Sequence, residues 1–235
     1  MPSRPCHLPA PAPRGFTLVE LMVSVTILGF VVLGVLQFTI AAENILDYDE
    51  GRVAINNDIR SFTQQMTTNA VYANYFLIYP NFSTRSTTTG TGSSAVTLDA
   101  SVNDGQSGDM LVLATANTDP TTGLLTVSQL VGYYRDPAAP GVATSTGPVR
   151  TFTVTLSPAV DPAVTPIYSL LNTYVPLSTA HTNPIVIQLA QGLSNGTLFY
   201  DFYDRSIIIN GQVIEQGNQF QQAVNTYDFT VSPRG

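Results

Sequence analysis

The chain has 235 residues, enough for one substantial domain plus an extra segment. It is 44% hydrophobic and only 11% charged, and its formal net charge is −7 with no lysine among the nine basic residues. That balance argues against a basic face for nucleic acid, and the missing lysines exclude isopeptide cross-links through that side chain. Cys6 is the only cysteine, so an intramolecular disulfide is excluded. Met-Pro-Ser-Arg-Pro ahead of Cys6 contains no apolar stretch, so Cys6 reads as incidental rather than as a lipid attachment point.

Residues 1–15 hold five prolines, with charges only at Arg4 and Arg14, and are not expected to be helical. The character then changes abruptly. Leu21 to Ala42 is free of charge and proline. As a helix it covers about 33 Å, enough for a bilayer core of about 30 Å. The run is too long for the core of a secretory signal peptide, and Glu20 stands just ahead of it. A carboxylate so placed costs on the order of a few kcal/mol in hydrocarbon and marks a function.

From Glu43 the helical pattern continues in polar form. Ile55, Ile59, Phe62, Met66 and Ala70 recur at the spacing of one apolar stripe, and Asn56, Asn57, Asp58, Arg60, Gln64 and Gln65 cover the other side. The helix is expected over about 16–74, with Gly29, Gly34 and Gly51 as weak points of about 1 kcal/mol each. Asp47, Asp49 and Glu50 read as a solvated face, with contact to an arginine of a neighbouring subunit as the sharper alternative.

Beyond Pro80 the chain reads as β-rich. Ser83–Ser94 is expected as a loop. Strands are expected at 75–79, 95–98, 110–116, 124–135, 149–156, 167–175, 185–189, 197–203, 206–210, 212–216 and 227–231. Asn210-Gly211, between Ile207-Ile208-Ile209 and Val213-Ile214, predicts a two-residue hairpin turn. Pro137–Pro140 and Pro158–Pro166 predict loops. The fold class is α+β, a long N-terminal helix packed on a C-terminal antiparallel β-rich domain. Its divisions are 1–15, 16–42 (transmembrane or packing helix), 43–79 (amphipathic continuation) and 80–235 (β domain).

Arg14-Gly15-Phe16-Thr17-Leu18-Val19-Glu20-Leu21-Met22-Val23-Ser24 resembles the signal sequence of type IV pilins and of the pseudopilins of type II secretion. In that family a basic leader ends in glycine, phenylalanine follows, and a glutamate lies four residues further on. The resemblance implies cleavage between Gly15 and Phe16 by a prepilin peptidase that also N-methylates Phe16, with Arg4 and Arg14 holding the leader on the cytoplasmic side. It implies that Glu20 pairs with an N-terminal amine and sets subunit register. The implied partners are other pilin or pseudopilin subunits, the inner-membrane assembly platform and the membrane itself. The implied location is a single-pass inner-membrane precursor with a periplasmic C-terminal domain, later a pilus or pseudopilus. Cleavage would discard Cys6 and two arginines, leaving seven arginines against sixteen acidic residues. The large β domain, with its aromatic Val131-Gly132-Tyr133-Tyr134-Arg135, is similar to the larger minor pilins and minor pseudopilins.

Other side chains carry weaker expectations. Asp104 and Asp109 are candidate calcium ligands, but Asp104-Gly105-Gln106-Ser107-Gly108-Asp109 lacks full loop spacing and a bidentate glutamate, so a polar turn is the expectation. His181 lies between prolines without a serine-nucleophile motif and reads as a surface loop residue. Asp201, Asp204 and Arg205 alternate with Phe202 and Tyr203 and read as strand and turn charges rather than an acid–base pair. The expectation is a non-enzymatic assembly subunit without a cofactor. The alternative is a membrane-anchored extracytoplasmic binding or enzymatic domain carrying a pilin-type signal.

Overall fold

A computed structural model describes residues 15–91, 94–119, 123–139, 145–192, 196–216 and 222–234. It divides into two compact units, Met1–Leu46 and Asp47–Gly235. Helix α1 runs over Leu18–Tyr72, so none of the three glycines interrupts it. Within the first unit every residue from 15 to 41 is exposed. An 18-residue window of α1 has mean hydropathy 2.4 and no buried residue, so by length and composition this helix is able to cross a membrane.

In the second unit the helix is amphipathic. Its buried residues are Ile55, Phe62, Met66 and Ala70, the stripe expected from the spacing. That stripe meets an antiparallel sheet. After β1 (Tyr75–Tyr79) come β2 (Ser86–Thr89), β3 (Val96–Asp99), β4 (Ser107–Gly108), β5 (Met110–Thr118), β6 (Leu125–Arg135) and β7 (Gly147–Val160). Helix α2 (Ile167–Tyr174), β8 (Ile185–Gln191), β9 (Phe199–Phe202), β10 (Ser206–Gln216) and β11 (Gln222–Val231) complete the chain order. Among the described residues the main sheet runs β1-β5-β6-β7-β8-β10-β9-β4, with β11 on β10; β2 and β3 form a separate exposed ribbon.

Side-chain alternation gives this sheet two dry faces. Leu111, Leu113, Val131, Tyr133, Ile207 and Ile209 join the helix stripe in one core cluster. Met110, Val112, Ala114, Leu130 and Tyr134 join Ile167, Leu170 and Leu171 of α2 in the other. Phe62 sits centrally in the first, its ring 5.7 Å from Tyr133 and 5.6 Å from Tyr227. The two phenols stay polar at their tips: Asn69 Nδ2 donates to Tyr133 OH at 2.6 Å, and Thr63 Oγ1 lies 3.1 Å from Tyr227 OH.

Four expectations need correction. Asn210 and Gly211 make no turn: they lie inside β10, paired with Asp228 and Tyr227 of β11. The turn is instead at Tyr203 and Asp204, which adopt φ of 56° and 51° between β9 and β10. Residues 167–175 are not a strand, because Ile167, Leu170 and Leu171 share one helical face and α2 starts after Pro166. Pro158 does not end β7; it lies in the irregular stretch where the register with β6 shifts. The Ser83–Ser94 segment contains β2, whose Thr87, Thr88 and Thr89 are exposed as expected, whereas Arg85 just ahead of it is buried.

Close packing adds a strict requirement at Gly108. A Cβ at Gly108 would run into the Tyr79 carbonyl, because β4 lies directly against the end of β1. Truncating the fully buried Met66 to alanine should cost about 2–5 kcal/mol in denaturant unfolding of the chain. The exposed Gln65→Ala on the opposite face should stay within about 0.5 kcal/mol of wild type.

Candidate functional site: the N-terminal processing and assembly segment

Gly15, Phe16 and Thr17 precede the first helical turn. The Gly15–Phe16 peptide bond therefore lies outside the helical hydrogen-bond ladder, between two exposed residues. Thr17 caps the helix: its Oγ1 accepts from Glu20 N–H at 3.3 Å, and its carbonyl accepts from Leu21 N–H at 3.1 Å. Thr17 and Glu20 thus stand at the cap and third positions of a capping box. Glu20 is also the acidic residue of the first turn, where the helix N-terminus favours a negative charge.

Behind Glu20 the helix presents no unpaired hydroxyl to an apolar medium. Ser24 Oγ donates to Glu20 O at 2.7 Å, Thr26 Oγ1 to Val23 O at 2.8 Å and Thr39 Oγ1 to Val35 O at 3.0 Å. Glu20 is the only charged residue between Phe16 and Ala42. Buried in lipid or among apolar helices it requires a partner, and removing one partner of a buried pair is far more damaging than replacing both. Arg4, Arg14 and Cys6 lie outside the described residues.

The remaining singled-out residues are placed separately. Asp104 is exposed and accepts Tyr203 N–H at 2.5 Å. Asp109 is buried in an ion pair with Arg135 at 3.0 Å, and its Oδ1 also accepts Leu198 N–H. Burial pushes the Asp109 carboxyl up, against the lowering effect of Arg135. The two candidate calcium ligands therefore point to different duties. Among the described residues no group of three or more His, Cys, Asp or Glu is arranged to hold a metal ion.

His181 is exposed in its loop, as expected, but it is not isolated: Nδ1 lies 2.9 Å from Asp136 Oδ2, a contact that no local spacing suggests. Asp201 accepts Asp204 N–H at 3.0 Å and is buried in the β9–β10 turn. Asp104, Asp201 and Asp204 thus meet at one turn although 97 positions of sequence separate the first two.

Burial, helped by the neighbouring Asp204 and Asp104, raises the Asp201 carboxyl from 3.8 to about 6. The folded chain then holds a proton that the unfolded chain releases. This contribution is present below the unfolded value and is lost as pH rises through about 6. Asp201→Asn should accordingly raise the melting temperature at pH 7 and flatten the wild-type gain in stability between pH 7 and 5, read by thermal unfolding across that range.

Comparison with family models matches residues 12–36 to the prokaryotic N-terminal methylation motif. Neither curated proteins nor solved structures give a match. The matched span covers the Gly15–Phe16 bond, the Thr17 cap, Glu20 and the first part of the apolar helix. Residues 12–36 carry a type IV pilin-like signal, and with the long apolar helix that follows they fit a membrane-anchored protein.

Proposed function

We propose that the chain is a structural subunit, a minor pilin or minor pseudopilin, of a type IV pilus or a type II secretion pseudopilus. The observation that carries this reading is the methylation motif lying on a capped helix start, with Glu20 as the lone charge ahead of an entirely exposed apolar tract. A prepilin peptidase cuts between Gly15 and Phe16 and methylates the new amine. Before assembly the apolar helix holds the subunit in the inner membrane, with the β domain on the periplasmic side. During assembly, with the help of the inner-membrane platform, that helix exchanges lipid for the helices of other subunits. The exchange costs little, since one apolar setting replaces another.

Glu20 supplies the register. An incoming subunit whose amine meets Glu20, on its own helix or a neighbour's, leaves no carboxylate unpaired in an apolar core. The rank of minor subunit rests on the size of the β domain and on the absence of cysteine after residue 6. No catalytic role is assigned to the domain.

Mass spectrometry of the protein from its native host should give a mature chain that starts at Phe16 and carries a methyl group on its amine. An intact Met1, or a start near Glu43, would overturn the reading. Glu20→Ala should be processed normally but enter filaments at least about tenfold less efficiently, in line with the few kcal/mol at stake for an unpaired charge. Sheared-filament immunoblots against whole-cell levels measure this, and wild-type incorporation would remove Glu20 from the register role.

A further inference from the structure

A cavity of about 400 Å³ opens at the end of the sheet where β1 and β6 finish. Its lining includes Asn81, Ser83, Thr84, Asp136 and His181. Asp109 and Arg135 line it too, paired at 3.0 Å, and Asp136 is paired with Arg150 at 2.8 Å. In a chain that is only 11% charged, this gathering of ionisable groups at one hollow is unusual.

The pairing decides which ligands fit. Each guanidinium already holds a carboxylate, so little positive charge is left for an anion. Each carboxylate already has its cation, and the metal-ligand geometry is lacking among the described residues. Pro80, Phe82 and Tyr134 add apolar lining, but a wholly apolar ligand would strip water from the polar groups without replacing their hydrogen bonds. What the rim offers is a neutral mixture of fixed donors and acceptors.

Several of these groups are held in position. Asn81 Oδ1 accepts from Ser83 N–H at 2.9 Å and Thr84 N–H at 2.8 Å, which fixes the amide so that Nδ2 is the outward donor. Asp136 Oδ2 takes both Arg150 Nε and His181 Nδ1, leaving Oδ1 without a donor among the described residues. A neutral His181 that donates through Nδ1 must present Nε2 as an acceptor. Its loop is tied down as well: Tyr134 OH donates to Ala180 O at 2.7 Å, and Arg150 Nη1 donates to Asn183 O at 2.6 Å.

The geometry points to a site for a neutral polyhydroxylated ligand, a mono- or disaccharide unit, with hydroxyls donating to Asp136 Oδ1 and His181 Nε2 and accepting from Asn81 Nδ2. The volume suits one or two sugar rings. The site stands independently of how the chain is processed or assembled.

The test is saturation-transfer NMR on the full chain in a zwitterionic detergent without a sugar headgroup, against a panel of neutral hexoses, N-acetylhexosamines and their disaccharides at millimolar concentrations. At least one sugar should receive saturation from the wild type. Asn81→Asp keeps both turn hydrogen bonds and removes the outward donor, and His181→Ala alters an exposed side chain; each should weaken binding about 3- to 10-fold with an unchanged melting temperature. Absence of transfer to every sugar would overturn the proposal, as would equal affinity in wild type and both variants, or binding of acetate or phosphate in place of sugars.

Discussion

The seam between the apolar stripe of α1 and the sheet is the contact on which the second unit depends. Phe62 and Met66 enter a face made by strands from both ends of the sequence: β1, β5 and β6 on one side, β10 and β11 on the other. Alternation within those strands then commits the opposite face. Once Leu111 and Leu113 point at the helix, Met110 and Val112 must point away, and α2 with its flanking loops has to cover them. A core of this kind has little tolerance for a register slip, because shifting one strand by one residue would exchange its two buried sets.

Charge is used sparingly in this domain, and where it is buried it has a local purpose. Arg85 is almost wholly buried and, among the described residues, has no carboxylate in an ion pair with it. Its Nη1 donates to Leu171 O and Val175 O at the C-terminal end of α2, its Nε donates to Phe82 O, and its guanidinium lies 4.1 Å from the centre of the Phe82 ring. The helix-end carbonyls and the ring face substitute for an anion. Burial still lowers the guanidinium, to about 10. The arrangement ties the loop after β1 to α2, just as Asp109–Arg135 ties the start of β5 to the end of β6 and, through Leu198 N–H, to the approach to β9.

What the sequence discloses follows the range of the interactions. The methylation motif is contiguous, so it was legible from eleven residues, and so was the helical stripe, whose period is local. Strand positions were legible for the same reason. The Asn210-Gly211 reading failed because pairing on both sides of β10, with β8, β9 and β11, outweighed a local turn preference. The true turn lacks glycine; Tyr203 and Asp204 take left-handed conformations with help from carboxylates at Asp104 and Asp201. Residues 167–174 look β-prone by composition, and only the spacing of Ile167, Leu170 and Leu171 identifies the helix. The His181–Asp136 contact and the parting of Asp104 from Asp109 depend on loops and strands brought together from afar, and no local pattern announces them.

The place of β11 couples two distant stretches of the chain. Tyr227 reaches Thr63 across 164 positions of sequence and lies against Phe62. Until the last strand has emerged and docked, that part of the helix face has no cover. Without β11, Phe62 and its neighbours on that stripe would stand open to water, whereas docked β11 covers them. Burial of Phe62 thus depends on a strand far from it in sequence, and a nick that released β11 would be felt first on the face of α1.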